Sequence, residues 1–188
     1  MTESTSKRIY TNRLELVAAT LSHVRVELET PEQLGKLLNT QTESEWPPGE
    51  YDRGAQLFFK DKLEEGGADV IGWYGWYALL RCNMKVPSTL IGAGGYFGPP
   101  DIKGEVEIGF SILSRWQRIG LATEMAIALV QNAYFDRRVK KVIAHTHPSN
   151  LASRKVLEKS GFVFINLDEV SGNYRFESYR NTELQTKI

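Results

Sequence analysis

The hydrophobic pattern of this chain changes its period at a glycine, and this change constrains the fold more than any other feature. Residues 89–97 and 105–113 carry apolar and aromatic side chains in runs typical of strands. A strand that leads almost directly into a long apolar helix must pack that helix against its own sheet. After Gly120 the spacing becomes helical up to residue 135, with apolar positions at Leu121, Met125, Ala128, Leu129 and Ala133.

The remaining segments predict a mixed sheet flanked by helices. Thr30-Pro31 and Asp52 are helix start signals, because a hydroxyl or carboxylate can cap the first turn and proline fits its first position. Residues 46–49, Trp-Pro-Pro-Gly, must form a loop. The middle strands predict an antiparallel meander. Further strands are predicted at 13–16, 72–80, 139–144, 162–167 and 174–179, and a further helix at 150–159.

Composition excludes several classes of protein. The chain has 188 residues, which suits one domain; we place it at residues 10–185, after a flexible N-terminus at 1–9. Lys and Arg number 23, as do Asp and Glu, and this balance argues against a nucleic-acid binder and against general attraction to a membrane. Cys82 is the single cysteine, so no intrachain disulfide can form. We find no signal peptide and no membrane-spanning stretch, and expect a cytoplasmic protein.

The turn at residues 117–123, Gln-Arg-Ile-Gly-Leu-Ala-Thr, carries most of the chemical information. A helix start leaves backbone N–H groups unpaired and carries partial positive charge. Gly120 and Ala122 are small enough to let an anion approach the backbone, and Arg118 adds a cation. Such a turn can hold a pyrophosphate, or it can be a tight connection without a ligand. The chain has no Walker loop and no GxGxxG fingerprint, which disfavours other nucleotide sites.

Three motifs in order resemble those of the GNAT superfamily of N-acetyltransferases. Residues 117–122 match the family's pyrophosphate motif Q/R-x-x-G-x-G/A. Residues 107–110, Glu-Ile-Gly-Phe, are similar to the strand before it, and residues 150–162 to the helix after it. The opening at 11–14, Thr-Asn-Arg-Leu, resembles the branch that contains ribosomal-protein alanine acetyltransferases. The resemblance implies an α+β GNAT fold, with a mixed central β-sheet flanked by helices.

The resemblance also implies acetyl-CoA as cosubstrate and no metal. The backbone of the 117–123 turn would hold the pyrophosphate, and the strand at 110–112 would pair with the pantetheine amides. Asn150 would hydrogen-bond pantetheine, with a plain helix cap as the alternative, and Ser153 would face the cofactor or pack as a small residue. The implied cofactor-binding residues are Phe110, Ile112, Gln117, Arg118, Ile119, Gly120, Leu121, Ala122, Thr123, Asn150 and Ser153.

Acetyl transfer to an amine needs a base. An amine with a pKa of about 10.4 is neutral in only about one molecule in a few thousand at pH 7, so a proton must be removed before nitrogen attacks. Glu107 matches the position that some family members use as base. Glu105 points to the same face by strand alternation and is the reserve candidate. An ordinary solvated strand glutamate is the alternative role for either.

The proton donor for the leaving thiolate departs from the family pattern. Many members carry a tyrosine seven residues after the motif asparagine, where this chain has Leu157, which leaves Ser153, a bound water or no acid. His145 and His147 lie two apart on or just after a strand. Structural hydrogen bonding is the favoured role for both over catalysis, and they make a poor zinc pair because cysteine and nearby carboxylates are scarce.

Trp46 and Tyr51 lie beside prolines and predict an acceptor-side wall. The predicted function is transfer of an acetyl group from acetyl-CoA to a primary amine by direct attack. The acceptor would be a protein N-terminus or a small amine such as an antibiotic or metabolite. The alternative is a CoA-binding module of the same fold without turnover, acting through a protein partner. The sequence allows a monomer or a homodimer.

Overall fold

The structure of the protein is a computed structural model, and it describes residues 6–82 and 87–180. The strands of these residues are β1 (Arg8–Tyr10), β2 (Leu14–Ala18), β3 (Gln41–Thr42), β4 (Gly75–Leu80), β5 (Thr89–Tyr96), β6 (Glu105–Ile112), β7 (Lys141–Thr146), β8 (Val163–Leu167) and β9 (Tyr174–Tyr179). The α-helices are α1 (Leu21–Glu29), α2 (Pro31–Leu37), α3 (Arg53–Gly66), α4 (Leu121–Phe135) and α5 (Leu151–Lys159). Short 3₁₀ turns lie at Gly67–Val70 and Ser114–Trp116.

Side-chain caps fix where the helices begin. The Asp52 carboxylate accepts a hydrogen bond from the backbone N–H of Ala55 at 3.0 Å, which satisfies one of the unpaired donors at the start of α3. Pro31 occupies the first turn of α2, where its missing N–H costs no hydrogen bond. Both helices start where the sequence predicts. The Thr30 hydroxyl does not cap α2, however, because it donates to the carbonyl oxygen of Val26 at 3.4 Å. The Thr20 hydroxyl accepts from the backbone N–H of His23 and so caps α1.

The strands form one mixed sheet. Their order is β1-β2-β4-β5-β6-β7-β9-β8, with β3 beside β5. β4, β5 and β6 pair antiparallel, which confirms the predicted meander. β6 and β7 run parallel, and α4 is the crossover that joins them. The predicted α+β architecture, a mixed sheet with packed helices, is therefore confirmed.

The parallel strands β6 and β7 stay together only briefly. Their pairing runs from Glu105 opposite Lys141 to Glu107 opposite Ile143. Beyond that point β6 continues beside β5, and β7 continues beside β9. Because the two strands follow different partners, a V-shaped gap opens in the middle of the sheet. We call this gap the splay.

Helices cover both faces of the sheet. A side chain at Gly75 of β4 would meet Phe59 of α3, and a side chain at Gly94 of β5 would meet Met125 of α4. Gly94 pairs with Trp76, the residue after Gly75, and successive strand residues point to opposite faces. α3 and α4 therefore lie on opposite faces, and α1 and α2 pack on the α3 side.

Residues 8–10 form a strand, although the sequence predicts a flexible segment at 1–9. β1 includes the last two residues of that segment and Tyr10 after it, and it pairs antiparallel with β2. Ile9 packs against the core and Arg8 pairs with Glu15, so this short edge strand is held by side chains on both sides. Residues 1–5, 83–86 and 181–185, which fall in the predicted N-terminus, a predicted loop and the end of the predicted domain, lie outside the described residues.

Gly94→Ala should destabilise the fold. A methyl group at this position would stand 2.4 Å from the carbonyl oxygen of Gly109 and 2.8 Å from Cα of Phe110, so β5 and β6 would have to separate. We expect a loss of about 1–3 kcal/mol in the free energy of unfolding, measured by urea titration. Gly49→Ala is the matched control, because its nearest atom would be the Ser111 hydroxyl oxygen at 3.7 Å. Equal stability of Gly94→Ala and wild type would contradict this close approach.

Candidate active site

The turn before α4 contains two residues with left-handed backbone. Arg118 has a φ of 65° and Gly120 a φ of 85°, and Gly120 directly precedes the helix. This conformation is natural for glycine but costs arginine on the order of 1 kcal/mol, and such strain concentrates at functional sites. Gly120 is the N-cap residue of α4 and has no side chain, and among the described residues no side-chain hydrogen bond caps this helix start. The first N–H groups of α4 are therefore left without a side-chain acceptor, as an anion site requires.

Neighbouring side chains hold this turn in place. Gln117 Nε2 donates to the carbonyl oxygen of Ile112 at 2.8 Å, which ties the turn to the end of β6. Arg13 Nη1 donates to the carbonyl oxygen of Ile119 at 2.8 Å. These two side chains shape the turn, and its backbone and Arg118 are the groups left to meet an anion.

A cleft of about 620 Å³ opens beside the turn. This volume is within the range of ligand-binding pockets. Ile119 and Leu121 do not line the cleft, because Ile119 is exposed and Leu121 is buried in the core. The other predicted cofactor-binding residues do line it: Phe110, Ile112, Gln117, Arg118, Gly120, Ala122, Thr123, Asn150 and Ser153.

Sequence reasoning missed the charged side chains of the cleft wall on α5. Lys155 and Lys159 lie one and two turns beyond Leu151 and line the cleft together with Arg118. Their spacing of four residues places them on one helix face, a signal that the sequence contains. Three cations around one cleft, two on α5 and one on the turn before α4, suit the phosphate groups of a nucleotide. Glu50 lines the same cleft, and no local pattern in the sequence marks it.

Asn150 serves both the fold and the cleft. Its Oδ1 accepts the backbone N–H of Ser153 at 3.0 Å, which caps α5. Its Nδ2 donates to Oε1 of Glu50 at 3.1 Å. The cap and the cleft-lining position are therefore compatible. Leu157, at the place of the family tyrosine, is 1% exposed in the core and offers no proton donor to the cleft.

Glu107 and His145 meet across the opening of the splay. Glu107 is the last β6 residue paired with β7, and Oε1 of Glu107 lies 2.8 Å from Nδ1 of His145 on β7. The two side chains are 33% and 20% exposed. When Nδ1 carries the proton, the imidazole donates to the carboxylate. His145 Nε2 is buried and has no hydrogen-bond partner within residues 6–82 and 87–180.

Glu105, the reserve candidate for the base, is engaged by cations. It pairs with Lys141 Nζ at 2.9 Å and with Arg175 Nη2 at 2.8 Å. Burial acts to raise the pKa of Glu105, but these hydrogen bonds and charges outweigh it and lower the pKa below its usual value. A carboxylate held ionised by two cations is a weak proton acceptor, so the geometry favours Glu107 over Glu105. His147 is exposed and its Nδ1 lies 2.7 Å from the Ser149 hydroxyl.

Trp46 and Tyr51 converge on a buried carboxylate that sequence reasoning missed. Glu27 of α1 is 2% exposed and accepts from Trp46 Nε1 at 2.9 Å and from the Tyr51 hydroxyl at 2.8 Å. Gln56 Nε2 donates to it at 3.1 Å and the Tyr77 hydroxyl at 2.6 Å. Burial raises the pKa of Glu27, and the four hydrogen bonds oppose that rise. The structure thus places both predicted acceptor-wall residues around Glu27, and neither lines the cleft.

The segment 43–51, which we call the strap, connects this buried cluster with the cleft. Its Glu43 accepts from Trp116 Nε1 at 2.9 Å, just before the turn at residues 117–123. Its Glu50 is held by Asn150 at the start of α5. Its Gly49 lies beside Ser111 of β6. The strap therefore reaches from the α1–α3 side of the sheet to the turn, to β6 and to α5.

Comparison with known proteins gives the family. Residues 13–163 match the acetyltransferase (GNAT) domain, so the chain belongs to the GNAT acetyltransferases, as its motifs predict. The protein of Bacillus subtilis (strain 168) named uncharacterized N-acetyltransferase YjdG is 28% identical to it over 169 residues, which cover 90% of this chain and 95% of that protein. No helix of the described residues is long and apolar enough to cross a membrane.

Solved structures share the fold. RimL, described as a ribosomal L7/L12 α-N-protein acetyltransferase, matches with a TM-score of 0.59 and 18% identity, over 93% of this chain and 94% of RimL. AAC(6′)-Ib, in complex with paromomycin and acetyl-CoA, matches with a TM-score of 0.59 and 17% identity, over 94% of this chain and 99% of that chain. At these identities the likeness concerns the fold. The predicted GNAT fold is confirmed.

Glu177, beside the candidate site, should make stability depend on acid pH. It is 5% exposed and accepts from Arg175 Nε at 2.8 Å, from Lys141 Nζ at 3.1 Å and from the Tyr179 hydroxyl. Burial acts to raise its pKa, but these donors prevail and lower the pKa to about 2. Because the folded state then holds the carboxylate more strongly ionised than the unfolded state, the stabilisation is present above about pH 4.5 and is lost as the pH falls through about 2.

Glu177→Gln should therefore flatten the acid limb of the stability curve. We expect the variant to be less stable than wild type near neutral pH by up to about 3 kcal/mol, and to lose less stability between pH 4.5 and 2. Urea titrations across this range measure the effect. Glu158→Gln, on the exposed side of α5, is the control and should follow the wild-type curve. Parallel curves for wild type and Glu177→Gln would mean that this carboxylate is not preferentially ionised in the fold.

Proposed function

We propose that this protein transfers the acetyl group of acetyl-CoA to a primary amine by direct attack. One observation carries the proposal: the cleft runs beside an uncapped helix start on one side and beside the splayed strand β6, which holds Glu107, on the other. The first element suits a pyrophosphate, and the second offers free backbone at residues 110–112. Glu107 and His145 do not line the cleft themselves; Glu107 lies on the same strand, three residues before Phe110. Membership of the GNAT acetyltransferases supports both assignments.

Acetyl-CoA fits the residues that line the cleft. The phosphates would meet the backbone of residues 118–123 together with Arg118, Lys155 and Lys159. The pantetheine arm would run along β6 from Ile112 towards the splay, where β7 no longer takes the backbone hydrogen bonds of β6. This orientation places the charged part of the molecule beside the cations and the neutral arm beside a strand edge.

Glu107 is the base of the proposed reaction. The incoming ammonium group loses one proton to the Glu107 carboxylate, and its nitrogen then bonds to the thioester carbonyl carbon. The carbon–sulfur bond breaks as the nitrogen loses its second proton, which balances the proton that the leaving thiolate takes up. His145 fixes the carboxylate through its Nδ1 contact. Glu105 does not compete, since Lys141 and Arg175 hold it ionised. Ser153 lines the cleft and is the proposed donor of a proton or hydrogen bond to the leaving thiolate.

A CoA-binding module without turnover is the second candidate. One observation favours it: Leu157 is buried in the core at the place where many relatives have a tyrosine acid. The hydrogen-bonded Glu107–His145 pair favours turnover, because a merely structural fold has no need of a half-exposed carboxylate at the splay. Release of free thiol from acetyl-CoA in the presence of an amine panel separates the two candidates.

The acceptor is proposed only as a primary amine. RimL, a fold neighbour, is named for a protein N-terminus, and AAC(6′)-Ib is seen with paromomycin, so the fold is compatible with both kinds of acceptor. Trp46 and Tyr51 would not contact the acceptor. They would position the strap by their hydrogen bonds to Glu27. A cytoplasmic location, as a monomer or a homodimer, stays a prediction.

Acetyl-CoA should raise the melting temperature, because a ligand that binds only the folded state stabilises it. At about 100 times its Kd we expect an increase of about 5–10 °C in a thermal-shift assay. Gly120→Glu should abolish the increase, since it adds bulk and negative charge to the turn. Gly161→Glu is the matched control: Gly161 has a φ of 86° but lies outside the cleft, so the increase should persist. Undiminished binding by Gly120→Glu would place the phosphates elsewhere.

Glu107→Gln should lower the rate with saturating substrates by about 10²–10⁴, because glutamine keeps the size but not the basicity. The Kd for acetyl-CoA should barely change, since the residue acts on the proton of the acceptor. The deficit should shrink as pH rises, because more amine arrives already neutral. Steady-state rates measured by thiol release across about pH 6–9 give both quantities.

Glu105→Gln is the paired control on the same strand face. It should retain most of the rate and lose stability, because Lys141 and Arg175 would keep only one carboxylate partner, Glu177. A Glu107→Gln rate within a few-fold of wild type at every pH would remove this residue from the mechanism. A large loss in Glu105→Gln alone would move the base to that position.

A further inference from the structure

Glu50 is an anion in the cleft without a cation of its own. Among the described residues, the other charged side chains of the lining are Arg118, Lys155 and Lys159. No Lys, Arg or His of residues 6–82 and 87–180 forms an ion pair with Glu50, and its partner is the neutral amide of Asn150. A carboxylate here would repel the phosphates, so it does not serve that end of the cosubstrate.

The position of Glu50 relative to the lysines of the cleft follows from its contact with the start of α5. Asn150, which holds Glu50, precedes the first turn of the helix, whereas Lys155 and Lys159 lie about 7 Å and about 13 Å further along the axis. Glu50 therefore belongs to the part of the cleft away from the phosphate-binding lysines. That part also contains Ser111 of β6, next to Gly49 of the strap.

The exposed Glu50 carboxylate has one hydrogen-bond partner, Asn150, and its backbone lies between two residues anchored in the core. Asn150 Oδ1 is engaged by the N–H of Ser153, so Asn150 Nδ2 must face Glu50. On either side of Glu50 along the chain, Trp46 and Tyr51 are fixed by hydrogen bonds to the buried Glu27. An anchored backbone on both sides of Glu50 reduces the ordering that remains when its carboxylate binds a ligand.

The other carboxylates of the strap region have different tasks. Glu43 accepts from Trp116, and Asp52 caps α3. Glu45 is exposed and does not line the cleft. Glu50 is thus the strap carboxylate that the cleft presents to a ligand, and Glu45 offers a matched control in the same loop.

We propose that Glu50 binds a second ammonium group of the acceptor, so that the preferred acceptor is a small amine with at least two positive charges. This inference rests on the proposed acetyl transfer. Glu50 is not assigned to the reacting nitrogen, because the proton of that nitrogen passes to Glu107 in the proposed reaction. It is useful to a charge that persists through the reaction, while Glu107 receives the proton of the attacking nitrogen.

The test compares putrescine with butylamine, which share a four-carbon chain and differ in the second ammonium group. Rates of thiol release are measured with the full chain and saturating acetyl-CoA. Wild type should favour putrescine in kcat/KM by about 10-fold or more, mainly through KM, the size expected for a charge-assisted contact. The preference should weaken between about 0.05 M and about 0.5 M NaCl, because salt screens a contact open to solvent.

Glu50→Gln should reduce the putrescine preference by about 10-fold, whereas Glu45→Gln should keep the wild-type preference. The KM for acetyl-CoA gives the second readout and should stay within about two-fold in both variants, since a general disturbance of the cleft would move it. Equal use of the two amines by wild type, or an unchanged preference in Glu50→Gln, would overturn the assignment. Transfer to peptides whose N-terminal amine is their only positive charge, but not to putrescine, would overturn it as well. No thiol release with any amine would instead reject the proposed acetyl transfer, and Glu50 recognition with it.

Discussion

The brief pairing of β6 with β7 is the constraint on which the rest of this structure depends. A parallel pair that ended later would close the sheet and satisfy its own backbone, leaving no strand edge inside the molecule. Beyond Glu107 and Ile143, β5 still pairs with the outer edge of β6 and β9 with the outer edge of β7, but the two facing edges no longer pair with each other. The splay therefore creates an interior strand edge, and it brings a β6 side chain beside a β7 side chain at its opening. Both the cleft and the Glu107–His145 contact are consequences of this one departure from regular pairing.

The charges around the splay are divided between structure and chemistry. On the paired side, Glu105 and Glu177 share Lys141 and Arg175, and the lowered pKa values of both carboxylates reflect that mutual stabilisation. On the open side, Glu107 meets a histidine and solvent. Two glutamates two residues apart on one strand thus differ in role because of what the neighbouring strands place beside them. Strand alternation alone makes them equivalent.

Local signals in the sequence predict most of the fold. The start of α3 at Asp52, the apolar spacing of α4 and the turn at Gly120 each depend on residues close together in the chain, and the structure agrees with them. β1 is the exception, since its order comes from pairing with β2 and not from its own composition. The motifs likewise indicate most of the cleft wall, because the turn at residues 117–123 and the start of α5 are short continuous segments.

The acceptor side could not be predicted in the same way. Glu27 and Glu50 are ordinary glutamates in their own segments, and their roles come from contacts with residues distant in the chain. Glu27 meets Trp46, Gln56 and Tyr77, at separations of 19, 29 and 50 residues. Glu50 meets Asn150 at a separation of 100 residues. Such contacts exist only once α1, α3, α5 and the sheet have assembled, so no local pattern contains them.

Hydrogen bonds to Glu27 fix the position of the strap relative to the core. Burying a carboxylate is unfavourable, which is why the pKa of Glu27 is raised, and an apolar residue there would avoid that cost. An apolar residue would also leave the donors of Trp46, Tyr51 and Tyr77 unpaired in the interior, at a cost of about 1–3 kcal/mol each. Trp46 and Tyr51 belong to the strap, which is a loop, and Tyr77 belongs to the central strand β4. The Glu27 carboxylate therefore ties the loop to the sheet. The strap backbone on both sides of Glu50 is thereby tied to the core, and Glu50 lines the cleft between these two anchors.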